Sequence, residues 1–415
     1  MGQSRRQDLP VQPLALPDRL AVSTSLPPLV EPAAELTRDE VARYSRHLVI
    51  PDLGVDGQKR LKNARVLVIG AGGLGAPTLL YLAAAGVGTI GIVDYDVVEE
   101  SNLQRQIIHG VSDIGRSKAQ SARDSIAEVN PLVAVRLHEV RLEPHNAVEL
   151  FEQYDLILDG TDNFATRYLV NDAAILAHKP YVWGSIYRFQ GQVSVFWEDA
   201  PGGRGLNYRD LYPEAPPPGL VPSCAEGGVL GVVCASIAAV MSTEAIKLIT
   251  GIGEPLLGRL MVYDALAMSY RTITVRKDPS TRTITELVDY EEFCGAVSGE
   301  AGVAAAADSA ITPRQLRDLL DSGSKVALID VREPVEWDIN HIDGATLIPK
   351  STISSGEGLA KLLPQDRVPV LYCKTGVRSA EVLAAVKQAG FADALHLQGG
   401  IVAWAEQMQP DMVMY

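Results

Sequence analysis

The sequence predicts an α/β protein built from two units in series, a larger doubly wound one and then a smaller one. Three observations predict this. Short, continuous apolar runs alternate with helical patterns, as buried parallel strands do when helices cover both faces. A glycine turn, GAGGLGAP at 70–77, follows the first such run and opens a helix. The alternation stops over 291–308, a stretch of small residues and glycines that reads as a linker, and then resumes.

The elements follow in order. Residues 1–36 are proline-rich and lack periodicity, so they read as a flexible arm. LTRDEVARYSRHLVI then starts a helix, with Thr37 as N-cap and Glu40 three residues on, the capping-box pattern. ARVLVIG, the glycine turn with its helix, and GTIGIVDYD make a β-α-β unit. YDLILDGTDN repeats the style, a buried strand running into polar residues at its carboxyl end. Ligands of doubly wound sheets sit at such ends. GQVSVFWED reads as a further strand. YPEAPPPGLVPS (212–223) is an irregular loop, because clustered prolines forbid a helix or central strand. The larger unit spans 37–290. In the smaller, 309–415, Thr312 caps a helix with Pro313 at its first position. KVALIDVR and VPVLYCKTG are its strands, RSAEVLAAVKQAGF is a helix, and ALHLQGG leads into the last turn.

Composition bounds the function. Lys plus Arg number 37 against 51 Asp plus Glu, a net charge of −14 over 415 residues, which argues against nucleic acid or an anionic membrane as partner. Four cysteines, Cys224, Cys234, Cys294 and Cys373, are too few for a disulfide scaffold and include no C-x-x-C pair. Reduced thiols and a cytoplasmic location follow as expectations. The N-terminus has no apolar core for a secretory signal, and Arg6 breaks the myristoylation pattern. GVLGVVCASIAAVM (228–241) falls short of a membrane span, and Glu244 and Lys247 follow it, so it reads as a buried helix of small residues.

Gly70, Gly72 and Gly75 satisfy G-x-G-x-x-G between a strand and a helix. Glycines let the backbone approach phosphate oxygens, and the helix start adds N–H groups and positive dipole. Asp94 ends the next strand, where an acid grips a ribose hydroxyl. That much equally describes an NAD site. The residues beyond it separate the two. Arg105 in SNLQRQ (101–106) and Lys118 are placed to reach phosphates, and Asp162 in GTDN (160–163) suits Mg²⁺. Hydride transfer needs neither a second phosphate clamp nor a metal-binding acid. Adenylation needs both, because charge builds on the departing pyrophosphate.

RYSRH, GAGGLG, DYDVVEESNLQRQ, GRSKA, GTDN and CAEGGVLG occur in that order. Together they resemble the E1-like adenylating enzymes of molybdopterin and thiamine biosynthesis, the MoeB and ThiF group, over about residues 37–290. The resemblance implies a Rossmann-like domain that binds ATP through Gly73, Asp94, Ser101, Asn102, Leu103, Gln104, Arg105, Lys118, Asp162 and Asn163. It also implies a homodimer in which Arg46 reaches the neighbour's ATP site. Members often hold zinc on two C-x-x-C pairs. Here the corresponding segments, LNYRDLYPEAPPPG and RKDPSTRTITEL, have no cysteine, so zinc is expected to be absent.

CKTGVRS (373–379) reads as a nucleophile's loop. Cys373 follows an apolar strand and precedes a helix, so N–H groups, Lys374 and Arg378 would favour its thiolate. Cysteine phosphatases place arginine after five intervening residues. Here four intervene, and the tighter loop suits a sulfur atom. With LIDVREPVEW, HIDGA and GGIVAW around it, the smaller unit resembles a rhodanese domain. That implies a persulfide on Cys373, cradled by Lys374, Thr375, Gly376, Val377 and Arg378, with Asp330 and Arg332 as structural ties. In the E1 relatives the position of Cys224 can hold a thiol that bonds with carrier or persulfide. Cys234 reads as core and Cys294 as incidental.

Together these imply adenylation and then sulfur transfer. Arg105 and Asp162 would serve the first step, and Cys373 and Cys224 the second. The substrate implied by the resemblance is a small ubiquitin-like sulfur carrier ending in Gly-Gly, with a cysteine desulfurase or thiosulfate as sulfur donor. Carriers for molybdopterin, thiamine or cysteine synthesis are all open. Two other readings stand beside this one: an NAD oxidoreductase with a regulatory domain, and a non-enzymatic scaffold that captures carriers.

Overall fold

The computed structural model describes residues 26–32, 35–215, 228–290, 307–354 and 366–414. Cys224, Cys294, most of the proline loop and most of the linker lie outside the described residues.

The larger unit is an eight-stranded sheet in the order β3-β2-β1-β4-β5-β6-β7-β8. Its strands are β1 (Arg65–Ile69), β2 (Thr89–Val93), β3 (Ala134–His138), β4 (Leu156–Asp159), β5 (Tyr181–Tyr187), β6 (Gln190–Phe196), β7 (Arg259–Asp264) and β8 (Ser269–Thr274). The first five in spatial order run parallel, and β6, β7 and β8 are added antiparallel. β1 reads RVLVI because four of its five residues are buried, as a parallel strand covered on both faces requires. Chain order reverses between β1 and β4, which opens a crevice at their carboxyl ends.

Helix Gly231–Thr250 packs on helix Gly75–Ala85 and on β5 and β6. The apolar run therefore belongs to a helix of 20 residues, long enough by length and composition alone to cross a membrane. The expectation that it is too short is corrected. The reading as a buried helix stands, since Val233, Cys234, Ile237, Ala238, Met241 and Leu248 are buried. Glu244, also buried, pairs with Lys247 and accepts the Leu256 N–H at 2.7 Å, so these charges mark the helix's last turns rather than its edge.

A second correction concerns the arm. Leu26 and Val30 are buried in the main core, and the Leu29 N–H donates to the Leu248 carbonyl at 2.9 Å. Prolines exclude regular structure there, but Leu26, Leu29 and Val30 still remove apolar area from water. At the first helix the capping box forms as read: the Thr37 hydroxyl takes the Glu40 N–H, and the Glu40 carboxylate takes the Thr37 N–H.

The smaller unit is a parallel sheet in the order β11-β10-β12-β13-β9. Its strands are β9 (Ala310–Ile311), β10 (Val326–Asp330), β11 (Thr346–Leu347), β12 (Val368–Tyr372) and β13 (Leu395–Leu397). Successive residues of a strand face opposite sides, so Ile329 and Leu371 join one apolar cluster while Leu328 and Val370 join the other. Chain order also reverses between β10 and β12, and Cys373 lies just past the carboxyl end of β12.

Candidate active sites

The glycine loop lies at the switch point between β1 and β4. The Gly70 N–H donates to the Val93 carbonyl at 2.8 Å, and the Gly160 N–H to the Ile69 carbonyl at 3.1 Å. A Cβ on Gly75 would stand 1.8 Å from the Gly70 carbonyl oxygen, so only glycine closes this turn into the helix Gly75–Ala85.

Asp94 braces the loop. Its Oδ2 accepts the Ala71 N–H at 2.7 Å and its Oδ1 accepts the Asp96 N–H at 2.9 Å. Burial pushes its carboxyl above the usual range, and those two N–H groups pull it back. His109, which the sequence reading missed, holds the other side. Its Nε2 lies 3.1 Å from the Ala71 carbonyl oxygen and its Nδ1 2.8 Å from Ser121 Oγ. Burial keeps the ring below the usual histidine range, hence neutral. A carbonyl can only accept, so Nε2 carries the proton and Nδ1 accepts from the Ser121 hydroxyl. Ala71 is thus fixed on both sides.

The turn after β2 supplies the polar wall. Asn102 is buried and its Oδ1 accepts the Glu99 N–H at 3.2 Å. Ser101 and Gln104 are exposed and Leu103 is half-buried. The Arg105 guanidinium donates to the Ser101 carbonyl at 2.9 Å, and its Cδ lies 3.7 Å from where a Cβ on Gly73 would be. The turn therefore brings Arg105 onto the glycine loop. Lys118 starts the helix Lys118–Val129, with its Nζ 2.9 Å from the Asp96 carboxylate, a partner the sequence reading did not name. Asp162 is exposed past the end of β4. Asn163 caps the helix Phe164–Leu176, its Oδ1 accepting the Thr166 N–H at 2.8 Å. Arg46 is exposed on the short helix Ser45–Leu48.

The second site centres on Cys373. The thiol is buried, and its sulfur accepts the Gly376 N–H at 3.1 Å. Ser379 Oγ lies 3.7 Å from the sulfur and 3.0 Å from the Gly376 carbonyl. The helix Val377–Gln388 starts within the loop, two residues earlier than read. A second helix start closes it from above: the Ile401 and Val402 N–H groups donate to the Cys373 and Lys374 carbonyls at 2.9 and 3.2 Å. A Cβ on Gly400 would stand 2.4 Å from the Cys373 carbonyl oxygen, so the glycine of GGIVAW admits this contact.

The cations of this loop differ from expectation. The sequence puts the positive charge of Arg378 beside the sulfur, with no partner assigned to it. It forms a two-pronged ion pair with Glu336, at 2.6 and 2.8 Å, and both side chains are largely buried. Glu336 had no assigned role. It also completes a capping box by accepting the Glu333 N–H at 3.0 Å. Burial pushes the Lys374 ammonium below the usual lysine range, partly offset by Glu336. Asp330 and Arg332 are fully buried and paired at 2.6 Å, and Arg332 also donates to Asn340. They tie the end of β10 to the following segment, as read.

Residues 206–215 and 276–287 meet through ion pairs and hydrogen bonds. Asp210 pairs with Lys277 at 3.3 Å and accepts from the Asp278 N–H and the Thr281 hydroxyl at 3.1 and 2.8 Å. Lys277 in turn pairs with Glu198 at 2.7 Å. The Lys277 ammonium thus joins the two segments, paired with the carboxylates of both Asp210 and Glu198.

Comparison with known proteins finds a family match over each of the two units. The ThiF family model matches residues 44–283 and the rhodanese-like domain model residues 312–407. A Mycobacterium tuberculosis protein named probable adenylyltransferase/sulfurtransferase MoeZ is 82% identical over 394 residues, 95% of this chain and 100% of that protein. A Thermus thermophilus sulfur carrier protein adenylyltransferase is 52% identical, over 62% of this chain and 98% of its own. The Drosophila ananassae adenylyltransferase and sulfurtransferase MOCS3 is 39% identical, over 92% of this chain and 87% of its own. Among solved structures, E. coli MccB with ATP superposes with a TM-score of 0.51 at 21% identity, covering 59% of this chain and 73% of that one, which speaks for the fold. The chain belongs to the ThiF family, carries a rhodanese-like domain behind it, and is an adenylyltransferase and sulfurtransferase.

Proposed function

We propose that the chain activates and then thiolates the C-terminal carboxylate of a small sulfur carrier protein ending in Gly-Gly. A carboxylate is a poor electrophile. Its oxygen attacks the α-phosphorus of ATP, pyrophosphate leaves, and an acyl-adenylate remains. A persulfide on Cys373 attacks that carbonyl and AMP departs, which leaves an acyl disulfide. Cys224 attacks the Cys373 sulfur and releases the thiocarboxylate. The two cysteines remain as a disulfide that a cellular dithiol reduces.

In this reading the glycine loop's N–H groups and helix start take the phosphates, and Arg105 and Lys118 add charge as pyrophosphate leaves. Asp94 serves the ribose. Asp162 would hold Mg²⁺, which would supply positive charge to offset that on the phosphates. Zinc takes no part, and the Asp210–Lys277–Thr281 bridge does the joining instead. The enzyme is a cytoplasmic homodimer with Arg46 serving the partner's site. Exposed Val49 and Ile50 beside Arg46 support such a contact. The larger domain spans 37–290 with Leu26 and Val30 packed into its core, the smaller spans 309–415, and a cysteine desulfurase or thiosulfate loads Cys373.

One observation carries the proposal: a single chain holds both a glycine turn that opens a helix at the switch point of one sheet and a buried thiol under the Gly376 N–H in the other. The test is ATP–pyrophosphate exchange with and without a Gly-Gly-tailed carrier. Carrier-dependent exchange is expected. Exchange that ignores the carrier would remove it as the substrate.

A further inference from the structure

Gln106 is the last residue of the SNLQRQ turn, and neither the family motif nor the argument above gives it a task. The residue is 4% exposed. The carboxamide oxygen is buried and has no hydrogen-bond partner among the described residues. The carboxamide nitrogen lies 3.7 Å from where a Cβ on Gly72 would be. Arg105, its neighbour in sequence, flanks Gly73 in the same way. Consecutive residues of one turn therefore border consecutive glycines of the loop.

The backbone under Gln106 is firm. Its N–H donates to the Asn102 carbonyl at 2.9 Å, and its carbonyl accepts the His109 N–H at 3.1 Å. The Gly72 face is equally fixed. A peptide plane points its C=O and N–H in opposite directions. The Ala71 carbonyl is turned to His109, so the Gly72 N–H of the same plane points away from that buried ring. A buried amide with no partner costs about 1–3 kcal/mol, and a methionine of similar size would avoid that cost. The amide is thus poor packing material, but it is a good hydrogen-bond donor beside a loop shaped for anions.

We propose that Gln106 is a further ligand of the nucleotide, its carboxamide N–H donating to a phosphate oxygen over Gly72. This rests on the adenylation reading. A phosphate oxygen only accepts, so the NH₂ end is the one that faces it.

The test uses the full chain and a non-hydrolysable ATP analogue, with Kd read by titration calorimetry. Gln106→Met keeps the size and removes the donor. It is expected to weaken binding about tenfold, the loss of roughly one such hydrogen bond. Its melting temperature without nucleotide should equal or exceed the wild type's. Gln106→Glu places a carboxylate against the phosphates and should weaken binding further. A merely structural role would show the reverse pattern, with lower melting temperature and unchanged Kd. Affinity within about twofold of wild type in Gln106→Met overturns the proposal. Should methionine cost the fold, Gln106→Leu, which also lacks the donor, decides in the same way. Failure of the adenylation reading looks different: the wild type itself would then show no exchange.

Discussion

The glycine loop and the Cys373 loop are built alike and used differently. Each follows a central parallel strand, turns on a glycine and enters a helix at a switch point of its sheet. At 70–75 side chains are pared away, so that a large anion can lie against backbone N–H groups. At 373–378 one side chain is kept, and the Gly376 N–H is turned onto it. Charge is handled in parallel too, with Lys118 paired to Asp96 and Arg378 to Glu336. Strand–turn–helix supplies oriented N–H groups, and whether the ligand arrives from outside or is the protein's own sulfur depends on what occupies the centre.

The strongest way to break the comparison is to fill the glycine that closes each loop. Gly75→Ala would put a Cβ 1.8 Å from the Gly70 carbonyl oxygen. It should cost about 4 kcal/mol or more and abolish nucleotide binding while leaving Cys373 reactive to alkylation. Gly400→Ala, 2.4 Å from the Cys373 carbonyl oxygen, should do the opposite. Loss of both activities in either variant would show that the loops are not independent.

A smaller effect is expected from the ion pair. Glu336→Ala removes the carboxylate that pairs with a largely buried guanidinium and removes a cap, so it should destabilise the smaller unit by about 2–4 kcal/mol in urea denaturation. A change under about 0.5 kcal/mol would mean water already screens the pair.

The smallest concerns Asp159 at the end of β4. Its Oδ1 accepts both the N–H and the hydroxyl of Thr161, and burial holds its carboxyl above the usual range. A raised value means folding favours the protonated acid. That contribution is full below the ordinary carboxylate range and is lost as pH rises through the raised value. Asp159→Asn should therefore melt above wild type at about pH 8, with the gap closing toward about pH 4. A gap that does not depend on pH would assign the effect to something other than ionisation.

Much of this was legible because it is local. The glycine spacing, the Thr37 cap and the strand before Cys373 each depend on neighbours within a few residues. What was missed depends on distance. Glu336 meets Arg378 across 42 positions, and His109 meets Ala71 across 38. No pattern in either segment points to the other. Leu26 and Val30 were misread because proline excludes helix and strand but not burial. The length of helix Gly231–Thr250 was misjudged because Glu244 and Lys247 looked like its end, whereas they pair with each other inside it.

The central claim is that the two loops act in succession on one carboxylate. Cys373→Ala tests it most directly, with a Gly-Gly carrier, ATP and a sulfur donor, reading pyrophosphate exchange and the carrier's mass together. The account predicts exchange at the wild-type rate and a carrier that never gains sulfur. A thiocarboxylated carrier from that variant would contradict it.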